Sequence, residues 1–170
     1  MMQSVFHFGP PLLSLLCKIN LDRLGVDAGM SPDWLRGAEQ ALEAVFTCSR
    51  RLAVYGTLAP GELHGRKLAN LNGSWQDGLV RGDLYRDGWG TERGCPGLKW
   101  EPDGLKVPIK LLTARDLPEE WERLDSFEGE DYVRILVPIE NDNGVIAIAN
   151  LYAIRHHMLD DREKLLMAGR

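Results

Sequence analysis

Arg50-Arg51-Leu52-Ala53-Val54-Tyr55-Gly56-Thr57-Leu58 is the stretch at which this chain changes character. Leu52 to Tyr55 is a short apolar strand, and Gly56 stops it. Leu79 to Tyr85 then alternates around Gly82, and Val107 to Leu112 forms another apolar run. Ile135–Ile139 and Val145–Tyr152 form a hairpin around Asn141-Asp142-Asn143-Gly144, where Asn-Gly supplies the positive φ angles of a tight turn. Between Asp87 and Gly104 the chain is rich in Gly and Pro and reads as a long loop. One helix interrupts the strands: Asp116 caps it, Pro118 begins it and Gly129 ends it. Short strands with one inserted helix predict a small, closed, mixed sheet with helices, an α+β fold.

Upstream of Arg50 the pattern is helical. Gly9-Pro10-Pro11 precedes a short helix over Leu12–Leu24, with Gly25 and Gly29 as turn residues. Ser31-Pro32 opens a second helix, with Ser as N-cap and Pro at the first helical position. Trp34, Leu35, Ala38, Ala41, Leu42, Val45 and Phe46 give it an apolar face that ends near Cys48. Residues 1–49 carry no catalytic constellation and are predicted to be a helical extension that packs on the domain or on a second copy.

The whole chain has 170 residues, 44% of them hydrophobic, with a formal charge of −5. That is enough apolar material for a single core, and the acidic balance opposes binding to nucleic acid or to an anionic membrane surface. No apolar run approaches the roughly 18 residues of a membrane span. Cys17, Cys48 and Cys95 are an odd, widely spaced set, which fits a reducing compartment better than a disulfide framework. Leu12 to Cys17 superficially resembles a lipoprotein signal, but Lys18 follows the apolar run instead of preceding it. The expected location is cytoplasmic.

Two local features carry chemistry. Helical geometry puts Leu117, Trp121 and Leu124 on one face, and Glu128 falls on the same face, while Glu119 and Glu122 point to solvent. A carboxyl turned toward a core has its charged form disfavoured, which raises its pKa toward the range useful for proton transfer at neutral pH. The alternative ends the helix earlier and leaves Glu128 in a surface turn. The second feature is the strand end at Gly56, followed by Ala59-Pro60-Gly61, which can turn backbone N–H groups outward as a cradle for a carboxylate or oxyanion. The alternative is an ordinary tight turn.

Taken together, Val54-Tyr55-Gly56-Thr57-Leu58 with Pro60-Gly61, and Leu124-Asp125-Ser126-Phe127-Glu128-Gly129 with Tyr132 and Arg134, resemble the gamma-glutamylcyclotransferase-like family, including gamma-glutamylamine cyclotransferases and AIG2-like proteins. Val80-Arg81-Gly82-Asp83-Leu84-Tyr85 and Pro96-Gly97 fit the middle of the pattern, and the resemblance covers Arg50 to Ile154. It implies a small mixed β-barrel with flanking helices over residues 50–170, and a small γ-glutamyl amine or peptide as substrate. Glu128 is implied as the general acid/base. Tyr55, Gly56, Thr57 and Leu58 are implied to line the pocket, with Tyr132 and Tyr85 as further substrate contacts. The implied products are 5-oxoproline and an amine, with no metal or cofactor. The family's second Val-x-Gly strand is here Val107-Pro108-Ile109-Lys110-Leu111-Leu112, without the Gly or Tyr. Trp89 and Trp100 in the long loop could fill or reshape the pocket.

The remaining residues read as structural. Arg134 could pair with Asp125 or with Glu128, and a structural role is favoured. Adjacent His156 and His157 would face opposite ways on a strand and make a poor chelating pair, His7 and His64 are isolated, and nothing in the sequence supports a zinc site. Cys95 has no neighbouring base, and Cys17 and Cys48 read as small core residues. Asp160 to Lys164 reads as a solvated helix face over Leu165 and Leu166. Two other functions fit the pattern: a non-catalytic small-molecule-binding domain, favoured by a blocked pocket or a Glu128–Arg134 lock, and an assembly module in which the N-terminal helices form a homodimer.

Overall fold

The computed structural model describes residues 9–85 and 96–155. Trp89, Cys95, His7, His156, His157 and the 160–166 run lie outside the described residues. The strands are β1 (Arg51–Val54), β2 (Gly73–Tyr85), β3 (Gly97–Trp100), β4 (Leu105–Ala114), β5 (Tyr132–Asn141) and β6 (Gly144–Ile154). Their order is β3-β2-β4-β1-β6-β5, and a further β2–β5 pairing, Leu79 opposite Glu140, closes five of them into a barrel. β1 runs parallel to β6 and the other pairs are antiparallel, so the barrel is mixed. The expected small closed sheet is therefore present, with β3 added outside on the free edge of β2.

Side-chain alternation fills the barrel. Val107, Ile109 and Leu111 point inward from β4, Val133 to Ile139 alternate inward from β5, and Ala147, Ala149, Leu151 and Ala153 do so from β6. The alanines of β6 and Ala53 of β1 leave room for the branched residues opposite, as a narrow barrel requires. Outward-facing Leu52, Val54, Leu112 and Tyr152 are covered by Leu117, Trp121 and Leu124 and by Leu58 and Leu68.

The helices are α1 (Pro10–Arg23), α2 (Pro32–Phe46) and α3 (Trp121–Glu128). Leu16 and Ile19 of α1 and Leu42 of α2 cover Leu136 and Ile148 on the outer faces of β5 and β6. Asn20 of α1 is buried among them and serves as a missing strand neighbour. Its Nδ2 donates to the Leu136 carbonyl at 2.7 Å, and its Oδ1 accepts from the Leu136 N–H at 2.9 Å. Arg23 joins the same region, donating to Glu39, to the Arg134 carbonyl and to Asn150.

Several expectations need correction. The helix over Leu12–Leu24 begins at Pro10, because a proline at the first helical position loses no hydrogen bond. Ser31 does cap α2, accepting from the Trp34 N–H, but the helix stops at Phe46, where Thr47 takes a left-handed φ of 49°. Trp34 and Val45, assigned to its apolar face, are exposed. Asp116 does not cap the third helix: its Oδ2 accepts from the Asn72 N–H, and residues 117–120 form a 3-10 turn before α3 begins. β2 starts at Gly73, six residues before the alternation, because β4 pairs with it from Gly73 to Gly82. Gly97–Trp100, assigned to a loop, pairs with β2. In the β5–β6 turn only Gly144 takes a positive φ, and Asn141 instead accepts from the Asn143 N–H. No helix among the described residues is long and apolar enough to cross a membrane.

Candidate active site

α3 ends at Gly129, whose φ of 70° and ψ of −164° turn the chain away immediately after Glu128. The apolar face that the spacing predicts is present: Leu117, Trp121 and Leu124 are buried, and Glu119 and Glu122 are exposed. Glu128 lies partly buried at the end of that face. Its carboxyl makes no hydrogen bond or ion pair to another described residue, and burial pushes it up to about 7 from an ordinary 4.5.

A hydrogen-bonded chain fixes the last turn of α3 to the barrel. Arg134 grips Asp125 through two contacts, Nε to Oδ1 at 2.9 Å and a terminal nitrogen to Oδ2 at 3.0 Å. The Arg134 guanidinium also lies 4.3 Å from the centre of the Trp121 ring. The Tyr152 hydroxyl donates to Asp125 Oδ1 at 2.6 Å. Burial pushes the Asp125 carboxyl up, but the Arg134 and Tyr152 hydrogen bonds and the Arg134 charge outweigh it and hold the group below its ordinary range. Arg134 thus belongs to Asp125, and the Glu128–Arg134 lock that would favour a non-catalytic domain is not formed.

The same chain reaches β1. The Tyr55 hydroxyl donates to the Tyr152 carbonyl at 2.6 Å and accepts from the Leu98 N–H at 3.1 Å. Tyr55 therefore ties β1, β3 and β6 together at one end of the barrel. Beyond it the chain turns: the Ala59 N–H donates to the Gly56 carbonyl, and the His64 N–H donates to the Thr57 carbonyl at 2.8 Å. The backbone N–H groups of Gly56, Thr57 and Leu58 donate to no other described residue. The Leu58 side chain is buried in the cluster beneath α3.

Tyr132 stands at the same rim, with its hydroxyl donating to the Pro96 carbonyl at 3.0 Å. Pro96 in turn lies against Gly56, where an added Cβ would sit 2.8 Å from the Pro96 Cγ. Gly56 is thus required by close approach and not by a positive φ. Gly56→Ala is expected to displace Pro96 and cost about 1–3 kcal/mol, the range for over-packing a closed contact. Urea unfolding measures it, and an unchanged midpoint would show that the contact yields freely.

Tyr85 ends β2 opposite Gly97, one residue from Pro96, and so lies near this rim. Trp100 does not fill the site: it packs between the barrel interior and the α1–α2 cluster. Sequence reasoning missed Tyr152 and Pro96 as links of the site. The signal for Tyr152 was the outer-face alternation Ile148, Asn150, Tyr152, which puts it on the same side of the sheet as α3.

A five-stranded mixed barrel with helices flanking it matches the gamma-glutamylcyclotransferase-like fold. The family model for gamma-glutamyl cyclotransferase, AIG2-like proteins matches residues 52–169. The chain belongs to that family, and α1 and α2 lie outside the matched segment. Among solved structures, an AIG2-like protein from Mus musculus aligns with a TM-score of 0.50 and 19% identity, covering 61% of this chain and 76% of the mouse chain. A uropathogenic E. coli-specific protein aligns with a TM-score of 0.50 and 15% identity, over 65% of this chain and 83% of that one. YkqA from Bacillus subtilis is 24% identical with a TM-score of 0.48, over 62% of this chain but only 35% of its own length. The first two show the shared fold. No curated protein matches the chain.

Proposed function

We propose that this protein is a cyclotransferase that releases 5-oxoproline and an amine from a γ-glutamyl amine or peptide. One observation carries the reading: a partly buried Glu128 carboxyl, pushed up to about 7 and unpaired among the described residues, ends a helix whose Leu124 and Phe127 pack in one cluster with Leu58, where the N–H groups of Gly56, Thr57 and Leu58 donate to no other described residue. A carboxyl with a pKa near the working pH both accepts and returns a proton. The substrate's α-amine attacks its own γ-carbonyl, and Glu128 removes the proton from the attacking nitrogen. The N–H groups at Gly56–Leu58 hold the substrate and stabilise the developing oxyanion. Glu128 then protonates the departing nitrogen as the C–N bond breaks. Nucleophile and electrophile belong to one molecule, so binding mainly has to hold a folded substrate conformer. Tyr55 and Tyr132 shape the rim, and Tyr85 extends it.

The test is incubation with γ-glutamyl dipeptides, γ-glutamyl-ε-lysine and glutathione, with 5-oxoproline measured by mass spectrometry. At least one substrate is expected to yield it. The acidic limb of kcat/KM is expected to bend near pH 7, because the base must be ionised in the free enzyme and burial has raised its pKa to about 7. An acidic limb near 4.5 would remove Glu128 from the role, and no product from any of these substrates by the folded protein would overturn the reaction.

A further inference from the structure

α1 stands where a strand would pair with one edge of β5, an edge that meets β2 only at Glu140. Asn20 and Arg23 lie three residues apart and share one face of the helix. Asn20 bonds both backbone groups of Leu136, and Arg23 donates through Nη1 to the Arg134 carbonyl at 3.2 Å, two residues back along the same edge. Arg23 is itself held from two further sides. Its Nε donates to Glu39 of α2 at 2.9 Å, and Nη1 also reaches Asn150 Oδ1 of β6 at 3.3 Å. The guanidinium thus fixes the backbone of Arg134, the residue whose side chain grips α3.

From Arg134 the path to Glu128 is short. Arg134 holds both carboxylate oxygens of Asp125, and the Asp125 carbonyl accepts from the Gly129 N–H at 3.0 Å, closing the helical turn that carries Glu128. We infer that Arg23 is a positioning residue for Glu128, so that α1, which lies outside the family match, is part of the candidate active site's framework. Arg23 acts through Arg134 and Asp125 and makes no bond to Glu128. The inference rests on the cyclotransferase reading for what Glu128 does, and on the hydrogen-bonded chain alone for how Glu128 is held.

Two effects of removing Arg23 have opposite signs. Burial raises the Glu128 carboxyl to about 7, so a loosened last turn admits water and lowers its pKa toward 4.5. Loss of a positive charge acting through space raises a carboxyl's pKa instead. A contribution to general stability alone moves it neither way. The other charged or titratable groups near this end of α3 are few. His64 packs edge-on against Phe127 at 5.1 Å, and Lys67 lies 4.1 Å from the centre of the same ring. On β6, burial and then the Asp125 hydrogen bond and charge hold the Tyr152 hydroxyl above its ordinary range, and the Glu128 charge adds to them. That phenol stays neutral while Glu128 titrates.

The test titrates the Glu128 carboxyl of the full chain by carbon NMR, its signal assigned by its absence from Glu128→Gln. Arg23→Gln is expected to lower the midpoint by about one pH unit or more. In an Asp125→Ala background, which already lacks the grip, adding Arg23→Gln is expected to change the midpoint little, as for residues that act through one contact. The kcat for 5-oxoproline release should fall about tenfold in Arg23→Gln with KM within about twofold, since the base is misplaced and substrate contacts are kept. An unchanged or raised midpoint, a drop of equal size in the Asp125→Ala background, or an unchanged kcat overturns the inference. If Arg23→Gln does not fold, Arg23→Lys decides by the same midpoint criterion, because it keeps the charge but not the planar fork that reaches Glu39 and Arg134 together. A parent protein that releases no 5-oxoproline removes the cyclotransferase reading, and the midpoint in the Arg23 variants still decides whether Arg23 positions Glu128.

Discussion

Glu128→Gln is expected to abolish 5-oxoproline formation and, at alkaline pH, to make the protein more stable. The loss should be roughly 10²–10⁴-fold in kcat, the usual contribution of a positioned general acid/base. The gain in stability follows from the pKa. Burial lifts the Glu128 carboxyl from 4.5 to about 7, so the fold disfavours the ionised form. Below pH 4.5 the group is protonated in both the folded and unfolded states and its burial carries no charge penalty. As pH rises from 4.5 through about 7 the unfolded state ionises first, and stability falls by at most on the order of 3 kcal/mol. Residual exposure of the carboxyl reduces that figure. Gln removes the charge and keeps the shape, so its melting temperature should exceed that of the parent at pH 8 and converge with it near pH 4. An inactive variant with no gain at pH 8 would show that Glu128 is solvated in the folded state. An active one would assign the proton transfer elsewhere.

Asn20→Ala is expected to be among the most destabilising single changes in the chain, at about 2–4 kcal/mol, although it lies in a helix outside the family match. Its carboxamide satisfies both the N–H and the C=O of Leu136, at 2.9 and 2.7 Å, in a buried setting. Removing it orphans two backbone groups, each at roughly 1–3 kcal/mol. Asn20→Leu should fare no better, because an apolar side chain cannot answer a backbone donor and acceptor. Urea unfolding should show a lower midpoint with an unchanged m-value, and a loss below about 0.5 kcal/mol would mean that water replaces the side chain. For the same reason a chain beginning at residue 50 is expected to lose the cover of Leu136 and Ile148 together with the Asn20 bonds, and to unfold at a lower urea concentration than the full chain.

The strands with strong alternation were legible in the sequence, as was the face of α3 that ends in Glu128. Both signals depend only on which residues must leave water. The first part of β2 was not legible because Ser74, Gln76 and Asp77 are exposed there, and only pairing with β4 makes the segment a strand. β3 was hidden for a similar reason: its four residues follow a Gly- and Pro-rich stretch, and an available edge of β2 decides their conformation. Within the candidate site, Glu128 could be singled out from helical spacing, and the Tyr55–Leu58 turn only from its resemblance to a family motif. The link through Tyr152 and Asp125 could not, since it joins residues 27 apart across two elements. Asn20 was passed over because its partner is 116 residues away.

The parallel contact of β1 with β6 has a consequence for how the molecule is made. Leu52 lies beside Asn150 and Ala53 beside Leu151, so the first strand meets the last among the described residues. Pairings this distant in sequence delay folding, because most of the intervening chain has to be ordered before the contact forms. During synthesis β1 has only β4 to pair with until residues near 150 have left the ribosome, and until then Leu52 and Val54 lack Tyr152 in the cluster beneath α3. The barrel therefore stays open while residues 51 to about 150 are made, and its closure comes as one event once β6 has emerged.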